Sequence, residues 1–307
     1  MSKTFPYAYI RKKTCKISEA NVPIQCKAIQ YGIGCFSGIR GFWNAKKKNL
    51  FLFRLDDHFQ RLQESAKILG MKFQYNYPQF KKIIIDLIKK NKVKEDVYIR
   101  PTLYSASTKL TPRFDNEDDD LAVYMISLKE YFSTSDGLNV CVSSWRRFDD
   151  DSFSVKAKMT GAYGNSGLAK TEAIKNGFDE PIFLNRDGKV SEASGANIFG
   201  VKDGVVWTPP LASNILDGIT RRSILELLIN KMKVKVREEN FDRSMMYTFD
   251  ELFLSGTAAK ISFIKAVDNR VIGSGKIGKL TQKLQELYDL AALSEIKNYQ
   301  KWTTKIY

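Results

Sequence analysis

Short apolar strand-like runs alternate with helical periods along nearly all of the 307 residues, which predicts an α/β (α+β) protein. No internal repeat or low-complexity tract interrupts the alternation. One polar, turn-rich stretch, KEYFSTSDG (129–137), divides it, so two domains are expected, 1–130 and 138–307, joined by a linker over 131–137.

Each element has its own signal. Over Leu55–Leu69, the residues Phe59, Leu62, Ala66 and Leu69 form an apolar stripe; Asp56 or Asp57 can cap the start, and Gly70 can end the helix. Gln79–Lys90 repeats the pattern with Ile83, Ile84, Leu87 and Ile88. Val97–Tyr104 alternates as a strand, with Val97, Ile99 and Pro101 on one face. Tyr98, Arg100, Thr102 and Tyr104 share the other, so an arginine stands between tyrosines. Leu121–Ser127 is a further strand. Beyond the linker, strands are expected at 139–144, 181–184, 197–201, 205–207 and 251–254, and helices at 165–176, 220–232 and 280–293.

Composition narrows the function classes. The net charge is +15, but the lysines are spread, and runs such as Lys46-Lys47-Lys48 read as solvated loops. There is no zinc-finger spacing, arginine stripe or aromatic RNA-binding signature, so nucleic acid is not an expected partner. No stretch approaches the ~20 apolar residues of a membrane span. The opening MSKTFPYAYIRKK lacks the apolar core of a secretory signal. A cytoplasmic protein with anionic small-molecule substrates is expected. Cys15, Cys26, Cys35 and Cys141 form no C-x-x-C pair and none lies near the only histidine, His58; disulfides and a metal site are not expected. His58, within LDDHFQRL, reads as structural.

Several motifs can carry chemistry. Gly273-Ser-Gly275-Lys-Ile-Gly278 matches G-x-G-x-x-G, but no second strand ending in an acid follows, so it reads as a turn. SVKAKMTGAYGNSGLAKTEA (154–173) holds Lys156, Lys158, Lys170 and Tyr163. Lys156 and Lys158 share a face of an extended segment, and spacing alone does not choose between them; Lys170, in a helix that Asn165 can cap, reads as solvated. SEASGANIF (191–199) puts Glu192 before small residues that let a flat ligand approach. Gly218-Ile219-Thr220 opens an apolar helix: an anion site, or a plain threonine cap. Ser255-Gly256-Thr257-Ala258 follows a strand and offers a second nest of N–H groups and hydroxyls. A lysine, a carboxylate and two phosphate-type turns suggest pyridoxal 5′-phosphate, which needs an amine for its aldehyde, an acid for its ring nitrogen and donors for its phosphate.

The pieces YGIGCFSGIR (31–40), DDHFQRLQESAKIL (56–69), VYIRP (97–101), VSSWRR (142–147), AKMTGAYGNSGLAKTEA (157–173), SEASGANIFGVKDG (191–204), TPPLASNILDGITR (208–221) and LSGTAAKI (254–261) occur in this order. Together they resemble the fold-type IV pyridoxal-phosphate aminotransferases, and most closely the branched-chain amino-acid aminotransferases. The resemblance implies a small N-terminal α/β domain and a larger C-terminal pseudo-barrel α/β domain. It implies that Lys158 is the Schiff-base lysine, with Glu192 at the pyridine nitrogen, Tyr163 near the ring oxygen, and Arg61, Ile219, Thr220 and Thr257 at the phosphate. Tyr31, Phe36, Arg40, Tyr98, Arg100, Trp145, Leu216 and Ala258 would line the substrate pocket. Arg100 then meets a substrate carboxylate, while Tyr31, Phe36 and Leu216 cover a branched side chain. The implied reaction is ping-pong transfer of an amino group between leucine, isoleucine or valine and 2-oxoglutarate, in a homodimer or larger homo-oligomer. Ser37 stands where such proteins usually carry glutamate, and Ser105–Asp120 replaces a glycine-rich cover loop. The alternatives are a D-amino-acid or amine transaminase or an aminodeoxychorismate lyase; the D-amino-acid enzymes typically carry R-x-H where this chain has Tyr98-Ile-Arg100.

Overall fold

The structure, a computed structural model, describes residues 3–115, 117–128 and 136–307. Of the expected linker, residues 131–135 lie outside the described residues. The chain divides into two compact units: Met1–Lys129 with Ala157–Gly161 and Leu290–Tyr307, and Glu130–Lys156 with Ala162–Asp289. The units therefore do not follow the chain throughout. A five-residue stretch from the middle of the sequence and the C-terminal residues cluster with the first.

In the first unit an antiparallel sheet runs in the order 303–305, 49–53, 39–44, 97–105, 119–127, 7–10, 13–16, with Gly34–Phe36 also paired to Val97–Ser105. Two helices, Leu55–Ile68 and Tyr77–Lys90, supply its core. Phe80, Ile84, Leu87 and Ile88 are fully buried with Val97, Ile99 and Leu103. Truncating Phe80 to alanine would cost about 3–5 kcal/mol. The second helix starts two residues early, after a capping box of Asn76 with Gln79. The first starts after Arg54, whose backbone is left-handed (φ 52°); Asp56 and Asp57 sit in the first turn and do not cap it. The helix core takes one face of the Val97–Ser105 strand, leaving Tyr98, Arg100, Thr102 and Tyr104 on the other, as the alternation predicts.

The second unit holds a mixed sheet ordered 190–193, 180–184, 138–146, 260–267, 251–256, 197–202, 205–208, 236–238. The Leu138–Arg146 strand runs parallel to both neighbours. Helix Tyr163–Lys175 packs over it. That helix begins after Ala162, not at Asn165, whose side chain donates to Arg146 O at 3.2 Å. The expected helix over 220–232 is α-helical only to Glu226 and continues as a π-helical turn to Met232.

The glycine-rich motif is a turn. A Cβ at Gly273 would lie 2.2 Å from Asp250 O. The helix that follows is capped by Glu251, which accepts from Leu280 N (3.1 Å), Thr281 N (2.8 Å) and Thr281 Oγ1 (2.6 Å). A carboxylate already fills the place a phosphate would take.

The Ser105–Asp120 segment is clasped by a wholly buried lysine. Lys27 Nζ donates to Arg113 O (2.9 Å) and Asp115 (2.5 Å), and Lys27 N–H donates to Ser107 O (2.9 Å). The hydrogen bond from Lys27 holds the Asp115 carboxyl below its ordinary range. Such a group stabilises the fold above its unfolded pKa and loses that contribution as pH falls through the folded value. Lys27→Met is expected to lower the thermal unfolding midpoint at pH 7. The deficit relative to the parent should narrow as the pH falls below the ordinary carboxylate range, where the parent's pair progressively loses its contribution; melts of both proteins at pH 7 and through that range measure it.

Candidate active site

Lys158 lies in a segment that extends the first unit's sheet. Phe36 N–H donates to Lys158 O (3.0 Å), Thr160 N–H to Gly34 O (2.8 Å) and Gly161 N–H to Gly32 O (3.1 Å), with Cys35 bridged to Met159. Gly32 is required here. Its φ is 66°, and a Cβ would lie 2.9 Å from Gly161 Cα. Burial separates the two lysines that spacing left equal: Lys156 is exposed and Lys158 half-buried.

The Lys158 ammonium lies 5.1 Å from the centre of the Phe36 ring, and the Arg100 guanidinium 4.2 Å from it. Arg100 donates to Tyr98 Oη from Nε (3.2 Å) and Nη2 (2.9 Å). Gly38 leaves room for that tyrosine, since a Cβ there would be 2.1 Å from its hydroxyl. Lys158, Phe36, Tyr98 and Arg100 thus form one cluster. Cys35, beside it, is no competing nucleophile: burial, then the nearby Asp119, pushes its thiol up to about 12.

Helix Leu55–Ile68 turns His58, Arg61 and Ser65 inward, all buried. His58 Nδ1 meets Ser37 Oγ at 2.8 Å, a structural contact for the only histidine. Arg40 pairs across the sheet with Tyr98 and is held by Leu128 O (3.2 Å), Asp96 (3.6 Å) and the Phe42 ring. Tyr31 ends the short Lys27–Tyr31 helix and packs on the core.

In the second unit three donors converge on Glu192. Arg147 pairs with one oxygen at 2.7 Å; Asn197 Nδ2 (3.0 Å) and Leu216 N–H (3.1 Å) donate to the other. The Arg147 and Glu192 side chains are 10 % and 6 % exposed. A carboxylate so surrounded is suited to face a protonated ring nitrogen. Asn197 also donates to Leu216 O (2.9 Å), and its Oδ1 would lie 2.1 Å from a Cβ at Gly218. Only glycine fits there, and Gly218 is the N-cap of the Ile219–Glu226 helix. No side chain caps that helix, and Thr220 is its second residue, so the plain-cap reading of Thr220 is replaced by an open N-terminus. Ser255 Oγ, in a residue 1 % exposed, has no partner. It stands opposite Asn197 in the sheet and thus shares its face. The orphan hydroxyl, the open helix end and the buried carboxylate fit pyridoxal 5′-phosphate, an aromatic ring carrying a nitrogen and a phosphate.

Thr257 and Ala258 occupy the half-buried turn between the strands Glu251–Gly256 and Lys260–Val267. Tyr163 opens the helix after Ala162. Trp145 is 44 % exposed and lines an open groove of about 610 Å³ with Gly164, Gly167, Leu168 and Thr171 of that helix. Lys170 is not a solvated charge: it pairs with the buried Glu180 at 2.5 Å and bonds Asp179 O. Sequence reasoning did not single out Arg147, Asn197 or Ser65. The first two lay inside quoted motifs with no local sign of their target, and Ser65 resembles any helix serine. Among the described residues no group of three His, Cys, Asp or Glu side chains could hold a metal ion.

Residues 34–267 match the family of amino-transferase class IV. A probable branched-chain-amino-acid aminotransferase of Aquifex aeolicus is 41 % identical over 309 aligned positions, covering 100 % of this chain and 99 % of the relative. The Escherichia coli K12 branched-chain-amino-acid aminotransferase is 31 % identical, with 99 % of each chain covered. The crystal structure of the Thermoproteus uzoniensis branched-chain aminotransferase with norvaline superposes with a TM-score of 0.94 at 36 % identity, covering 100 % of both chains. A T.th. branched-chain amino acid aminotransferase complexed with N-(5′-phosphopyridoxyl)-L-glutamate also gives 0.94, at 30 % identity over 99 % of this chain and 100 % of that one. With the lysine, the pinned carboxylate and the open helix end already in view, this chain belongs to the class IV amino-transferases.

Proposed function

We propose that the protein is a pyridoxal-phosphate-dependent branched-chain-amino-acid transaminase, exchanging an amino group between leucine, isoleucine or valine and 2-oxoglutarate in two half-reactions. The observation that carries the reading is Glu192, a buried carboxylate held by Arg147, Asn197 and Leu216 N–H. The cofactor supplies an aldehyde to receive the amine and an electron-poor ring to stabilise negative charge at Cα. Glu192 accepts the ring N–H and keeps that ring electron-poor. Ile219 and Thr220 donate backbone N–H groups to the phosphate, with Arg61 and Thr257 as further donors. Tyr163 bonds the ring oxygen.

Lys158 holds the cofactor through Nζ. When free, that nitrogen would take and return the proton of substrate Cα as general base and acid. Arg100, oriented by Tyr98, takes a substrate carboxylate, while the Phe36 ring, Tyr31 and Leu216 meet the apolar side chain. Arg40, Trp145 and Ala258 complete the proposed pocket lining. Norvaline in one related structure and a glutamate adduct in another support a pocket serving both kinds of side chain. The resemblance further supports a homodimer or larger homo-oligomer, and the cytoplasm remains the proposed location. No helix among the described residues is long and apolar enough to cross a membrane.

Protein reconstituted with the cofactor should show a visible absorption band that borohydride bleaches. No such band in the parent would sink the cofactor, and a borohydride-fixable band persisting in Lys158→Ala would sink the lysine. With 2-oxoglutarate as acceptor, L-leucine should react and D-alanine should not; the reverse outcome would assign a D-amino-acid enzyme. Arg147→Ala removes the counter-charge of a buried carboxylate and is expected to destabilise the fold by about 3–5 kcal/mol, measured by denaturant unfolding, and to weaken cofactor binding.

A further inference from the structure

The extended Lys158 segment gives its carbonyl to Phe36 N–H, and the N–H of Thr160 turns to the same neighbouring strand. The peptide N–H of Lys158 points the other way, toward helix Leu55–Ile68. There it donates to Ser65 Oγ at 3.1 Å. The Ser65 hydroxyl in turn donates its own proton to Arg61 O at 2.8 Å. A helix serine often bonds the carbonyl four residues back, an ordinary local contact. Here the lone pair that contact leaves over takes the one backbone donor of Lys158 that the sheet does not use.

Ser65 is 1 % exposed, so no solvent replaces this bond if it is lost. Arg61 and Ser65 stand four residues apart and share a helix face with His58, which is fixed to Ser37 at 2.8 Å. The face is therefore pinned at both ends: by Ser37, next to Phe36, and by the backbone of Lys158. Arg61 lies between the pins.

We infer that Ser65 is a positioning residue that ties the backbone of the phosphate-binding arginine, Arg61, to the backbone of the aldehyde-binding lysine, Lys158. This rests on the cofactor reading above. The reason is geometric. The aldehyde and the phosphate belong to one small, rigid molecule, so the two residues that grip them must keep a fixed separation. Sites of this kind tolerate errors of only about 0.5 Å. One hydroxyl bonded to both backbones sets that separation directly.

The test uses the full-length protein as parent, Ser65→Ala, Ser65→Thr and Ser65→Cys. Each is freed of cofactor and titrated with pyridoxal 5′-phosphate; the readouts are the dissociation constant and the pH midpoint of the visible band. Ser65→Ala is expected to weaken binding about ten-fold or more and to move the band's pH midpoint. Ser65→Thr, which keeps the hydroxyl, should stay within about three-fold of the parent. Should Ser65→Ala fail to fold, Ser65→Cys, close in size and weak in hydrogen bonding, takes its place with the same expected direction. Parental affinity and pH midpoint in the folded hydroxyl-free variant would overturn the inference. So would equal weakening in the threonine variant and the hydroxyl-free one, because packing and not the hydrogen bond would then be at work. Failure of the parent itself to form the band would instead overturn the cofactor reading.

Discussion

The pairing of residues 158–161 with 32–36 is the constraint on which the placement of Lys158 depends. A flexible four-carbon side chain can deliver its amine to one place only if its backbone is held. Three hydrogen bonds to the Gly32–Phe36 stretch hold one edge of the segment, and Ser65 holds the other. The pairing needs glycine at position 32, where the chain turns through a left-handed conformation against Gly161. It also sets Phe36 beneath the amine and beside Arg100. One short piece of sheet therefore places the Lys158 nitrogen and the Arg100 guanidinium on the same ring.

The second unit solves a different problem, the burial of a carboxylate. Glu192 is stable there because three donors replace the water it gave up. Asn197 links this carboxylate to the helix end, reaching Glu192 and Leu216 with its amide while its oxygen crowds Gly218. The spacing between the carboxylate and the first turn of the Ile219–Glu226 helix is thus fixed by one side chain. A bound ring with a phosphate arm needs such a fixed spacing.

Much of the fold was legible because it follows periodicity. The apolar stripes of the helices and the alternation of the Val97–Ser105 strand appear where the sequence places them. The differences have local physical causes. The Leu55–Ile68 helix begins from a left-handed arginine, and the Tyr163–Lys175 helix begins two residues before Asn165. Lys170 looked solvated because nothing nearby in sequence announces Glu180 as its partner. The glycine-rich motif was properly read as a turn, although the carboxylate that closes it comes from a distant strand.

The sequence by itself determined the family and raised the expectation of a reactive lysine with acidic and phosphate-binding companions, because these sit in ordered motifs whose residue types the cofactor's chemistry demands. Tertiary structure alone decided which charges are paired and which N–H groups need a hydroxyl. Arg147 on Glu192, Ser65 on Lys158 and Lys27 under the Ser105–Asp120 segment all join residues far apart in the chain. The physical reason is that a hydrogen bond depends on a few tenths of an ångström of separation and on direction. Neither quantity exists until the chain has folded.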